Sequence, residues 1–299
     1  MKNLSNQRAS VKFSQNFTVN GPLVSDLVRQ SSITPKDLVY EIGPGTGVIT
    51  SELAKVSGQV VAIEIDKNLF DKLKIKLANS NKVEIQYGDF RTIPLPKQPY
   101  KVFSNIPFNI TAPIIKKITE SENPPEDTYL FVQIESADKF CGFSKETQAS
   151  LLLKPWFDLS IVYHFKKNDF RPIPNVDIVL LRIEKRNQPL VGLNDVQLYR
   201  DFIVYSFNQW KPTLKEALKS IFSDTQFTRL SNDLKFSSKA KPTELSFNQW
   251  LGLFNFFIKG MDLSKRAIVS GSENKLKAQQ SKLDKIHRTR TDKNWKQKG

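Results

Sequence analysis

The chain has 299 residues, 39% of them hydrophobic and 25% charged, so it can bury one large core and a smaller one. Forty-five Lys and Arg against thirty Asp and Glu give a net charge of +15, which favours a polyanionic partner. A single cysteine, Cys141, and two isolated histidines, His164 and His287, exclude an internal disulfide framework and a recognisable zinc site, and no metal is expected.

The opening "MKNLSNQRASVKF" is charged and lacks an apolar stretch, so no secretory leader is expected. No apolar run approaches the roughly 18 residues of a membrane helix. With one cysteine, these features predict a cytoplasmic, monomeric protein without membrane contact. From Leu38 to about Ile183, apolar β-rich runs alternate with helical patterns. "LVYEI" (38–42) and "VVAIEI" (60–65) flank the helical "GVITSELAKVS". "NLFDKLKIKLAN" (68–79) precedes "VEIQYGDF" (83–90), and "YKVFSNI" (100–106) leads through "APIIKKITES" (112–121) to "TYLFVQIE" (128–135). Strands separated by helices of this length predict βαβ units, hence an α/β fold with a mainly parallel, doubly wound sheet. "IVYHFKK" (161–167) and "DIVLLRIEK" (177–185) predict an antiparallel pair at its edge.

After "NQPLVGLN" the pattern turns helical. Residues 197–223 and 245–258 carry aromatics at three- and four-residue spacing, and Trp210 and Trp250 are read as core anchors. Residues 263–299 hold eleven Lys or Arg and three Asp or Glu with few large apolars, so disorder is expected there. The predicted organisation is an α/β domain over 1–188, a small α-helical domain over 189–262 and a basic tail over 263–299.

Three segments carry the chemistry. "EIGPGTG" (41–47) sits after the first strand and before a helix, where glycines let a ligand approach the backbone; Gly43 and Gly45 are its candidates. It is neither the dinucleotide form nor a P-loop. The next strand ends in "AIEID", placing Glu64, followed by Ile65, where a carboxylate can accept ribose hydroxyls. "GDF" offers Asp89 and Phe90 at the third strand's end; Asp89 suits either an adenine amino group or a helix cap. Together these describe an adenosine site without a pyrophosphate clamp, the pattern of Rossmann-like S-adenosylmethionine-dependent methyltransferases. A nicotinamide dehydrogenase is disfavoured, since neither histidine is placed for hydride chemistry.

"SNIPFN" (104–109) at the fourth strand's end reads alone as a turn whose Phe folds inward. Beside an expected sulfonium it reads as catalytic. Asn105 and the Ile106 carbonyl could accept the two hydrogens of an exocyclic amine, Pro107 would stiffen the turn, and Phe108 could stack on an extruded base.

In their order, "SQNF" (14–17), "EIGPGTG", "AIEID", "GDF", "SNIPFNI" and "FRPIPNV" (170–176) resemble the rRNA adenine N6-methyltransferases. The C-terminal "LSFNQWLGLFNFF" is more similar to the erythromycin-resistance branch, which acts on 23S rRNA, than to the 16S dimethyladenosine branch. The resemblance spans residues 10–260. It implies S-adenosylmethionine as cofactor, contacted by Asn16, the Thr18 backbone, Gly43, Glu64, Asp89 and Asn105. It also implies that Phe108 and Phe170 sandwich the flipped adenine, and that naked or partly assembled 23S rRNA is the partner. Macrolide, lincosamide and streptogramin B resistance would follow from mono- or dimethylation. The alternatives are a 16S dimethyltransferase and a non-catalytic RNA-binding factor of the same fold. Phe108 stands where many members carry Tyr, and Thr18 where an aliphatic is usual.

Overall fold

The computed structural model describes residues 17–282. The chain divides into two compact units, the first ending at Gly192 and the second beginning at Leu193.

In the first unit, β1 (Phe17–Thr18) precedes α1 (Gly21–Gln30). Then β2 (Leu38–Ile42), α2 (Val48–Val56), β3 (Gln59–Glu64), α3 (Lys67–Lys76) and β4 (Val83–Tyr87) alternate. β5 (Lys101–Asn105), α4 (Thr111–Thr119) and β6 (Asp127–Gln133) follow, then α5 (Ile134–Cys141) and α6 (Gln148–Leu153). β7 (Phe157–His164), β8 (Phe170–Arg171) and β9 (Ile178–Lys185) complete it. Seven strands form one sheet in the order β4-β3-β2-β5-β6-β9-β7, parallel except where β9 runs antiparallel between β6 and β7. This is the doubly wound α/β sheet with an antiparallel edge pair that the apolar runs predict.

Side-chain alternation divides the core between the two sheet faces. Tyr40, Ile42, Val61, Ile63 and Val102 pack with Ile114, Ile115 and Ile118 of α4 on one face. Val39, Val60, Phe103 and Phe131 pack with Val24, Leu27 and Val28 of α1 and with Ile49 and Leu53 of α2 on the other. Each fully buried aliphatic of this kind contributes roughly 1.5–3 kcal/mol relative to exposure.

The strand order reverses between β2 and β5, since β3 lies on one side of β2 while β5 pairs on the other. The β2–β5 pairing covers only Val39↔Lys101 and Tyr40↔Val102. Beyond it the ladder is replaced by a side chain: the Ser104 hydroxyl accepts from Ile42 N–H (3.2 Å) and donates to Ile42 C=O (2.5 Å). The two strands thus part at their carboxyl ends, where ligands bind in open α/β sheets.

The second unit contains α7 (Val196–Phe207), α8 (Leu214–Ala217), α9 (Asp224–Asp233), α10 (Phe247–Gly260), α11 (Leu263–Val269) and α12 (Ser272–Ser281). Its core is aromatic. Phe202 stacks on Phe257 with centroids 5.0 Å apart, Tyr199 meets Phe254 edge-on, and Trp250 is fully buried against Phe202 and Phe207. Trp250, Leu253, Phe254 and Phe257 form the buried stripe of α10, whose start is fixed by a Ser246–Gln249 capping box.

Two expectations for this unit are corrected. The helical pattern over 197–223 is broken: α7 stops at Phe207, and Trp210 is 94% exposed rather than a core anchor. Pro212 lacks the N–H and blocks helical geometry in the residue before it. The second correction concerns the tail, whose described part, 263–282, forms α11 and α12 instead of lacking structure. Val269 is fully buried, and the Asp201 carboxylate accepts the Gly271 and Glu273 N–H groups at the start of α12. Glu273 also pairs with Arg200 (2.6 Å) and Lys277 (2.8 Å). Although burial opposes its charge, those cations and Gln197 hold its carboxyl down at about 2. A helix anchored by buried charges has no hydropathy signature, and composition alone therefore misses it. Residues 283–299, with His287, lie outside the described part.

Candidate functional site

Successive strand ends place the candidate residues in a row. Gly43 follows β2, Glu64 ends β3, Asp89 follows β4 and Asn105 ends β5. Backbone bonds fix the row: Gly43 N–H donates to Ile63 C=O (2.8 Å), and Gly88 N–H to Glu64 C=O (2.9 Å).

The glycine loop turns on positive φ at Gly43 (67°), Gly45 (56°) and Gly47 (77°), a region disfavoured for other residues. Gly45 is additionally crowded, because a Cβ there would lie 2.6 Å from the Phe17 ring. Its N–H donates to Glu64 Oε2 (3.1 Å), while Glu64 Oε1 accepts from Asp66 N–H (2.8 Å). Glu64 is therefore a fully buried carboxylate already holding two strand-end loops in place. Burial raises its pKa and the two backbone donors offset part of that rise. Ile65 beside it is 49% exposed, an apolar surface open to a flat ring.

Of the two roles the local sequence allows Asp89, the structure shows the cap. Its carboxylate accepts Arg91 N–H (2.9 Å), so it caps the turn, and it grips the Arg91 guanidinium in two-pronged fashion. The Arg91 contact holds its carboxyl below the usual range. Contact with an adenine amino group would have to share this carboxylate with Arg91. Phe90, a candidate cofactor contact, has its ring in the core, and its carbonyl accepts from the Lys117 ammonium of α4. The ring is thus not available to a ligand.

At the end of β5, Ile106 and Pro107 are buried, and Phe108 is half-buried at the head of a short 3₁₀ turn, Phe108–Ile110. Ile110 N–H closes this turn on Pro107 C=O (3.1 Å). Asn105 and Pro107 share one cleft with Gly43, Thr18 and Phe17. β1 pairs antiparallel with β8, Thr18 opposite Phe170, which brings the ends of "SQNF" and the start of "FRPIPNV" side by side. Asn16 lies outside the described residues. Phe170 corrects an expectation: it is wholly buried, edge-on to Phe131 and Phe165, so no face of its ring is open to a base.

Glu41, Ser104 and Phe17 belong to this site and went unread in the sequence. The signal for Glu41 was an acid inside the apolar run "LVYEI". It is buried in the cleft wall, and its Oε2 has no hydrogen-bond partner; the same holds for Thr18 Oγ1. An orphaned carboxylate oxygen beside a glycine cradle and an exposed Ile65 fits a ligand with a cationic amino group at one end and a flat apolar ring at the other. The residues present therefore fit S-adenosylmethionine.

Burial pushes the Glu41 carboxyl up to about 8; Thr50 beside it opposes the rise, and the neighbouring Glu64 charge adds to it. The folded chain then holds a proton that the unfolded chain releases near 4.5, so stability falls as pH rises between about 4.5 and 8. Glu41→Gln is expected to remove that slope and to gain roughly a few kcal/mol at pH 8.5. Thermal melts of both chains at pH 5.5 and 8.5 check this; parallel pH profiles would contradict it.

The chain matches the family model for ribosomal RNA adenine dimethylase over residues 6–259. It is 33% identical over 253 residues to an rRNA adenine N-6-methyltransferase of Bacteroides fragilis, covering 84% of this chain and 95% of that protein. It is 31% identical over 221 residues to the ribosomal RNA small subunit methyltransferase A of Listeria monocytogenes, covering 70% of this chain and 75% of that one. Among solved structures it resembles the 23S rRNA methyltransferase ErmE, with a TM-score of 0.77 and 25% identity over 82% of this chain and all of that one.

Proposed function

This chain belongs to the ribosomal RNA adenine dimethylase family, and from that membership we propose that it methylates N6 of one adenine in 23S rRNA with S-adenosylmethionine as donor. The observation that carries the chemistry is the parting of β2 and β5, which sets Asn105 across one cleft from the glycine loop and Glu41.

S-adenosylmethionine, when bound, supplies a methyl group on an electron-poor sulfur. Glu41, giving up its proton, would meet its ammonium, Glu64 would hold its ribose and Ile65 would face its purine. Asn105 Oδ1 and the Ile106 carbonyl accept the two hydrogens of the target amine. An exocyclic amine on a purine is a weak nucleophile because its lone pair is delocalised into the ring. Two acceptors that hold its hydrogens turn the lone pair towards the methyl group, and orientation of this kind lowers barriers by several kcal/mol. Phe108, held by the Pro107 turn, stacks on the base after it leaves its helix or loop. The surplus proton departs once the bond has formed, so the site needs no strong base.

The 23S assignment draws on the likeness to ErmE and on the fuller coverage of the Bacteroides relative. The Listeria relative, a small-subunit methyltransferase at similar identity, supports a second reading on 16S rRNA. Primer extension on both rRNAs from cells expressing the chain separates them. A new stop in 23S rRNA, accompanied by macrolide, lincosamide and streptogramin B resistance, is expected. A stop confined to 16S rRNA would transfer the chain to the second reading. The chain is taken to act as a cytoplasmic monomer on naked or partly assembled rRNA.

A further inference from the structure

We propose that the loop after α7 is a stacking platform on which Trp210 receives an unpaired RNA base; this rests on the reading that the chain acts on rRNA. Trp210 is 94% exposed, the most exposed large apolar side chain among those described. Its backbone φ is +50°, a left-handed conformation that a bulky residue adopts only at a cost of about 1 kcal/mol or more. A costly backbone that places an indole in water has no explanation in packing.

The loop is nonetheless firmly held. Asn208 Nδ2 donates to Val204 C=O (2.7 Å) and Gln209 Nε2 to Tyr205 C=O (3.1 Å), folding both side chains back over the last turn of α7. At the far end, Thr213 caps α8, and Leu214 N–H donates to Ala240 C=O (2.8 Å). Pro212 stiffens the stretch between. Trp210 is thus presented on a braced turn, which lowers the entropy lost on binding.

The surroundings select the occupant. Lys211 follows Trp210 directly and forms no ion pair among the described residues. Lys239 and Lys241 bracket Ala240, the residue bonded to Leu214, and Lys219 lies on the segment beyond, as does Lys215, which pairs with Asp224 (3.0 Å); Glu216 is the one acid between Trp210 and Ile221. An aromatic face on a segment rich in lysines matches a nucleotide, whose base stacks while its phosphates meet Lys211, Lys219, Lys239 and Lys241. An apolar protein surface would offer Lys211, Lys219, Lys239 and Lys241 no counter-charge.

Binding of the full-length chain to protein-free 23S rRNA should be measured across a salt series for the wild type, Trp210→Ala, Trp210→Gly and Trp210→Phe. The Gly variant removes the positive-φ cost together with the ring, so its loss of affinity cannot come from backbone strain. The Ala and Gly variants are expected to bind about 5- to 100-fold more weakly with an unchanged salt slope, and Phe within about threefold of wild type. In methylation assays the loss should fall on KM for RNA, not on kcat. Wild-type affinity in the Ala and Gly variants, with methylation intact, would overturn the platform alone. A loss seen only on protein-containing ribosomal particles would overturn it in favour of a protein contact. A wild-type chain that binds S-adenosylmethionine but neither rRNA would overturn both this and the proposed function.

Discussion

Replacing Asn105 by Ala is expected to lower the methyl-transfer rate roughly a thousandfold, with RNA affinity held within about twofold. The side chain ends β5 where the sheet opens, so its removal takes no apolar contact from either core. What disappears is an acceptor that orients the target amine, an interaction worth most in the transition state and little in the bound ground state. Asn105→Asp sharpens the expectation, because it keeps an oxygen acceptor and should recover part of the rate. Single-turnover methylation with saturating RNA, beside a binding titration and a thermal melt, reads all three quantities. Equal loss of rate and RNA affinity, or an unchanged rate, would remove Asn105 from the chemistry.

Gly45→Ala should act on the cofactor instead. The new Cβ would lie 2.6 Å from Phe17 Cε1 at a φ of +56°, so either the Phe17 ring or the loop must move. Positive φ alone costs Ala about 1 kcal/mol or more, and the displaced loop would also disturb the Gly45 N–H bond to Glu64. Affinity for S-adenosylmethionine is expected to fall at least about tenfold, with RNA binding preserved since that loop carries no basic residue. Calorimetry with cofactor alone, followed by a filter-binding assay with rRNA, distinguishes these. Unchanged cofactor affinity would show that the loop does not form the cradle.

The sheet was legible because its central strands are buried on both faces and read as continuous apolar runs, from "LVYEI" to "DIVLLRIEK". Strand ends were legible for the same reason, and Gly43, Glu64, Asp89 and Asn105 all sit there. What stayed hidden depends on contacts between distant residues. Ser104 matters because Ile42 lies across from it, and Glu41 because nothing satisfies its buried oxygen. Phe170 reads like an exposed loop aromatic until β1 pairs with its strand and Phe131 and Phe165 surround it. The helix α12 is fixed by Asp201 and Arg200, seventy residues away, and composition carries no trace of such pairing. Pro212, by contrast, was in plain view, and it outweighs the helical spacing of its neighbours.

The central claim is methyl transfer to N6 of an rRNA adenine by this cleft. Incubating the full chain with labelled S-adenosylmethionine and, separately, protein-free 23S and 16S rRNA, then identifying the labelled nucleoside by mass, tests it most directly. N6-methylated or N6-dimethylated adenosine from 23S rRNA, absent with Asn105→Ala, is the predicted result. Cofactor binding with no label entering adenine of either rRNA would contradict it.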